Sequence, residues 1–249
     1  MSSPTIVLLL THSSLSIWQA THHRAQFLIR IAPETNGLSA LRRIAHEWPH
    51  ANFHILTDLA EEEFQHESVP HLSGSDRKAL LARKLDQAWR ETPYRRVVIQ
   101  TQGGLGGQDQ LLLSALTVRD RIDTLVNLLL EEKCAIAGIH SSALAADTLL
   151  QHLRGQARHL LLINSTDSGS LRQSYFNEQG LHFSRLGYAS GDTIQRAIDV
   201  AEETHRVRQY LTTLRLMDRD EQLDVLLLTN DGEAPEFATT FARHLLPDA

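Results

Sequence analysis

Fourteen histidines in 249 residues raise metal binding as the first chemistry to weigh. Ligands must converge on one coordination sphere, so spacing decides. His22 and His23 are adjacent and, on a strand, point to opposite faces. His46 and His50 have helical i,i+4 spacing, but Pro49 ends a helix between them. His66 and His71 lie among Glu61, Glu62, Glu63 and Glu67, the densest metal-like group, and a solvated acidic linker is the plainer reading. No metal site is therefore expected. His12 and His140 fall near strand ends, where α/β sheets open into clefts, and polar structural roles suit both. Ser13, Ser14, Ser141, Ser142 and Ser168 offer hydroxyls, but no Gly-x-Ser-x-Gly elbow is present. Asp58, Asp120 and Asp123 fit strand ends or helix faces. Gly103-Gly104-Leu105-Gly106-Gly107 has no GK[ST] after it and opens no helix, so it reads as a wide hairpin rather than a phosphate loop. Cys134, the single cysteine, excludes an internal disulfide and a cysteine zinc cluster, and it reads as inert packing. No catalytic residue is assigned.

Composition narrows the class. At 42% hydrophobic the chain can bury a sizeable core. A net charge of −6, with no Lys/Arg stripe between aromatics, argues against nucleic acid as the partner. No apolar run approaches the roughly 18 residues of a membrane helix, and the start lacks a basic n-region. A soluble cytoplasmic protein is the expectation.

The elements that must position these residues follow from periodicity. Ala157–Tyr188 predicts an apolar strand (159–164), a polar loop (165–170), a strand (171–177) and a return strand (181–187), with Gly180 supplying the positive φ of the hairpin. Thr5–Ala32 repeats the pattern, which implies a duplicated α/β domain. Between the copies, helical spacing appears at 37–48, from Ser75 or Asp76 to Glu91, from a Thr117 cap to Lys133, and at 143–153. Strands are expected at 52–59, 96–100, 110–116 and 135–140. After the second copy come one long or two joined helices (191–221), a buried strand (223–228), a turn at Thr229-Asn230-Asp231-Gly232 and a helix (236–246). Expected inward residues include Leu130 in the third helix, and Ile194 and Leu214 after the second copy. Trp89 and Tyr94 serve equally as an interface anchor or as core packing.

Two such meanders, each feeding helices and further strands, resemble the actin-like ATPase superfamily: α/β, with two ribonuclease-H-like lobes. The order of elements resembles the pilus assembly protein PilM and the cytoplasmic domain of the type II secretion L component (GspL). Ser75–Trp89 and Tyr94–Gln102 resemble that family's insert, and 111–150 its return to lobe one. INSTDSGSLRQSYFNEQGLHFSRLG, with Phe183 and Arg185 near its end, resembles the opening meander of lobe two, and LDVLLLTNDGEAPEFATTFARHLL its adenosine side. The resemblance implies a first lobe of 1–60 and 110–155, an inserted subdomain at 61–109 and a second lobe of 156–249.

The same resemblance places nucleotide contacts at Ser13, Ser14, Asp167, Ser168 and Gly169 on phosphate, and at Asn230, Asp231 and Gly232 on the base. Active members carry Asp-Gly in the first loop, since close phosphate approach favours glycine and Mg²⁺ favours carboxylate oxygen. Here that loop is Thr11-His12-Ser13-Ser14. The second loop keeps Asp and Gly away from its start, and the adenosine turn has one glycine where the family has a pair. The resemblance thus implies a non-catalytic scaffold with no resident cofactor, peripheral to the inner membrane on its cytoplasmic side, in a type IV pilus or type II secretion platform. Its partners are proteins of that platform, with room for a homodimer and for a membrane segment after residue 249. In PilM-like proteins a short peptide of the membrane partner docks in a groove near the insert. The alternative is an ATP- and Mg²⁺-binding switch or ATPase with degenerate phosphate loops.

Overall fold

A strand buried on both faces carries apolar residues throughout, whereas a half-buried one alternates. Both kinds appear in the computed structural model, which describes residues 3–21, 24–32, 37–104, 106–153, 157–165, 170–189, 191–228 and 234–245. The chain divides into two compact units, 1–148 and 149–249.

The first unit opens with an antiparallel meander, β1 (Thr5–Thr11), β2 (Leu15–Ala20) and β3 (Ala25–Ile31). Helix α1 (Gly37–Glu47) leads to β4 (Asn52–Asp58), which lies parallel to β1. After an insert, α3 (Arg119–Glu131) leads to β8 (Ala135–Ser141), parallel to β4, and α4 (Ser142–Leu153) follows. The sheet order is β3-β2-β1-β4-β8. Ile6, Leu8, Phe53 and Ile55 from the sheet bury against Leu41 of α1 and Ile122 and Leu129 of α3. Each such side chain contributes about 1.5–3 kcal/mol by leaving water.

The insert comprises β5 (Glu62–Pro70), α2 (Gly74–Ala88), β6 (Arg95–Thr101) and β7 (Gln108–Leu116). Its antiparallel sheet has the order β5-β7-β6. Buried Val69, Leu111 and Leu113 pack under Leu80, Leu81 and Leu85 of α2. The glycine run is the β6–β7 connection, with Leu105 outside the described residues. A Cβ on Gly103 would meet the Gln108 backbone at 2.5 Å, and Gly106 has φ +78°.

The second unit repeats the plan. Strands β9 (Leu160–Ser165), β10 (Ser170–Asn177) and β11 (Gly180–Tyr188) form the meander, α5 (Thr193–Thr213) follows, and β12 (Asp224–Leu228) lies parallel to β9 before α6 (Ala234–Leu245). The order is β11-β10-β9-β12, that of β3-β2-β1-β4. In both meanders the pairing of the second and third strands shifts register, at Ile17/Trp18 and at Tyr175/Phe176. Gly180 takes φ +113° in the hairpin, as its position predicts. Asp192 caps α5 by accepting the Gln195 amide at 2.8 Å.

Several expectations change. The acidic stretch at 61–71 is not a linker but β5, an outer strand that takes its hydrogen bonds from β7. The segment 110–116, expected in the first lobe's sheet, is the centre of the insert's sheet. Thr117 caps nothing; its hydroxyl and amide both bond the Glu61 carbonyl, and Val118 precedes α3. Ser73, not Ser75 or Asp76, precedes α2. Leu130, Ile194 and Leu214 face solvent, because Leu128, Ala197 and Leu211 take the inward faces of α3 and α5. Strand β12 is half-buried, since it forms the edge of its sheet.

Candidate functional site

The first nucleotide-contact candidates, Ser13 and Ser14, lie in the β1–β2 turn, and that turn is closed on itself. The Thr11 amide donates to the Ser14 carbonyl at 2.9 Å, and the Ser14 amide donates to Thr11 Oγ1 at 3.1 Å. The two hydroxyls meet at 3.1 Å. From α3, Arg121 Nη2 donates to the carbonyls of Thr11 (2.7 Å) and His12 (3.1 Å). A phosphate cradle needs outward amides. Two of this turn's amides are already committed within it. Asp167, Ser168, Gly169, Asn230, Asp231 and Gly232 lie outside the described residues.

The structure instead opens a groove of about 680 Å³ within the first unit. One wall is the insert: Tyr94, Arg95, Arg96 and Val98, and Ser114–Leu116 of β7, with Glu62 of β5. The other is Ile139, His140 and Ser141 of β8 with Leu144, Ala145, Asp147 and Thr148 of α4. Strands β6 and β8, which both line the groove, are each the outermost strand of their sheet. An edge strand presents unpaired N–H and C=O groups to any extended chain beside it.

The floor on the β8 side is polar and ordered. His140 Nε2 and His54 Nδ1 of β4 stand 3.0 Å apart, their rings stacked at 5.2 Å. Burial, the neighbouring His54 and the Arg96 guanidinium push the His140 pKa down, so the imidazole stays neutral. Gly138 makes room for that ring, because a Cβ there would meet His140 Nε2 at 2.6 Å. Thr57 donates to the His140 carbonyl at 3.1 Å. Ser141 Oγ caps α4 by accepting the Leu144 amide at 3.2 Å, and Ser142 Oγ donates to buried Asp58 at 2.9 Å. Both serines are engaged structurally rather than poised as nucleophiles.

The insert is fastened at four points. Tyr94 donates to Asp123 of α3, whose other oxygen takes Arg119 Nε at 2.7 Å. Burial and that bond push the Tyr94 hydroxyl up to about 12, and the Tyr94 and Arg119 bonds hold Asp123 below the usual carboxylate range. Buried Thr92 bonds the Leu116 carbonyl at 2.8 Å. Within the insert, Asp109 is 1% exposed and accepts from His71 (2.8 Å), the Gly103 amide (2.9 Å) and Arg77 (3.2 Å). Those bonds, His71 first, lower its pKa. Trp89 Nε1 donates to Glu63 at 2.7 Å, so Trp89 and Tyr94 both fasten the insert. Among the described residues, no three of His, Cys, Asp and Glu gather as metal ligands, and no helix is long and apolar enough to cross a membrane.

Residue patterning placed β6 and β8 but not the groove between them; only the resemblance to PilM-like proteins pointed to a groove near the insert. The only local signs were paired arginines opening an apolar strand and Gly138 two residues before His140.

Two repeated meander sheets, one interrupted by a small α/β insert, define an actin-like fold. No family model matches the chain, and no curated protein matches it. Solved structures do. The PilM–PilN type IV pilus biogenesis complex superposes with a TM-score of 0.60 at 13% identity, over 96% of this chain and 86% of that one. A Bacteroides thetaiotaomicron protein with an actin-like ATPase fold and unknown function gives 0.50 at 10% identity, over 98% and 89%. The cytoplasmic domain of EpsL, an inner-membrane component of the Vibrio cholerae type II secretion system, gives 0.48 at 11% identity, over 92% and 84%.

Proposed function

We propose that this protein is a non-catalytic actin-like scaffold at the cytoplasmic face of the inner membrane, in a type IV pilus or type II secretion platform. In this reading it holds an extended segment of a membrane partner in the groove between β6 and β8. The observation that carries the reading is that groove, lined by the insert's sheet on one side and by β8 and α4 on the other, and large enough for a peptide. The likeness to a PilM–PilN complex suggests a partner protein; a fold alone does not assign one. No resident nucleotide is part of the proposal, since the Thr11–Ser14 turn spends the Thr11 and Ser14 hydroxyls and two amides on itself.

A photo-crosslinking amino acid at Val98 tests it in living cells, with the solvent-facing Leu130 of α3 as control. Adducts with an inner-membrane platform protein from Val98 alone are expected. Equal adducts from both positions, or none from Val98 in folded protein, would reject the reading.

A further inference from the structure

We propose that the segment docked in this groove carries an acidic side chain, bound by Arg96 of the insert wall. The inference rests on the docking reading above and adds the chemistry of the partner.

The Arg96 side chain is exposed at the groove and, among the described residues, forms no hydrogen bond or ion pair, while its backbone pairs with Ser114 of β7. Its neighbour Arg95 is already committed, to Asp86 at 2.5 Å and to the Trp89 carbonyl at 2.5 Å. The other charged groups on the walls, Glu62 of β5 and Asp147 of α4, have partners of their own. Across the groove stands His140, backed by His54 of β4 and near enough to Arg96 for the guanidinium to help keep it neutral. A peptide laid between β6 and β8 displaces water from Arg96. A guanidinium stripped of water and left unpaired is costly, whereas a carboxylate opposite it forms a charge-assisted, bidentate contact. A neutral or basic residue at that position leaves the cation uncompensated, so the site discriminates as well as attracts. Side chains of an extended segment alternate. Val98, Ile139 and Leu144 therefore favour apolar residues beside the acidic one.

The test is display selection of a random library of peptides of about eight residues, enough to run the length of β6 at about 3.3 Å per residue. Selection is run on the wild-type chain and on Val98→Arg, which blocks the groove. Supporting the proposal, groove-dependent peptides share Asp or Glu at one position, weaken about tenfold against Arg96→Gln and recover in part with Arg96→Lys. Groove-dependent peptides without acidic preference, or indifferent to Arg96→Gln, overturn it and leave docking intact. Absence of any groove-dependent peptide overturns both. Circular dichroism confirms that each variant folds.

Discussion

At the residue scale, two carboxylates of the first unit each draw several donors together. Asp109 gathers His71, Gly103 and Arg77, and Asp123 gathers Tyr94 and Arg119. Both carboxyls sit below their ordinary pKa. In the pH range between the lowered folded value and the ordinary one, the unfolded chain binds more protons. Their stabilisation is therefore full above about pH 4 and is lost as pH falls through the folded values. His140 is also lowered, so its contribution is full above about pH 6.5 and declines as pH falls below it. Thermal midpoints should drop in two stages on acidification, and His140→Gln should remove the upper stage alone. Gly138→Ala should push the imidazole aside and break the His54–His140 contact, at about 1–2 kcal/mol in chemical unfolding. His140 stood out in the sequence by its place near a strand end. Its pairing with His54 did not, because 86 residues separate them and only the parallel β4–β8 register brings them together.

At the element scale, periodicity found the elements that carry their own apolar stripe and misjudged those that borrow one. Strand β9 and helix α1 bury side chains at the spacing their sequences announce. Strand β5 does not, since Glu62, Glu63, His66 and Glu67 read as solvated and only Val69 is a deeply buried apolar residue. It is a strand because β7 supplies nine consecutive backbone partners, and its charges keep an outer strand from pairing further. The insert thus hangs on β7. Leu113→Ala, at a fully buried position, should cost about 2–5 kcal/mol, read as earlier unfolding of the insert by hydrogen exchange. Leu130→Ala, at a solvent-facing position, should change stability by less than about 0.5 kcal/mol. The groove was illegible for a related reason: that β6 and β8 are both outermost is a property of two sheets, not of either strand's residues.

At the scale of the whole molecule, the same strand order twice over is the strongest regularity, and it was visible in the sequence as two meanders with matching loops. What was not visible is how the first loop spends its polar groups. With the Thr11–Ser14 turn closed, ATP and Mg²⁺ at about 1 mM should leave the thermal midpoint unmoved, whereas a ligand at a hundredfold its Kd would add about 2.7 kcal/mol. Hydrogen–deuterium exchange with and without the cytoplasmic segment of the membrane partner bears most directly on the groove. Docking predicts slowed exchange confined to Arg95–Thr101 and Ala135–Ser141, with Thr11–Ser14 unchanged. Unchanged exchange along both edges, or protection of Thr11–Ser14 by ATP and Mg²⁺, would contradict it.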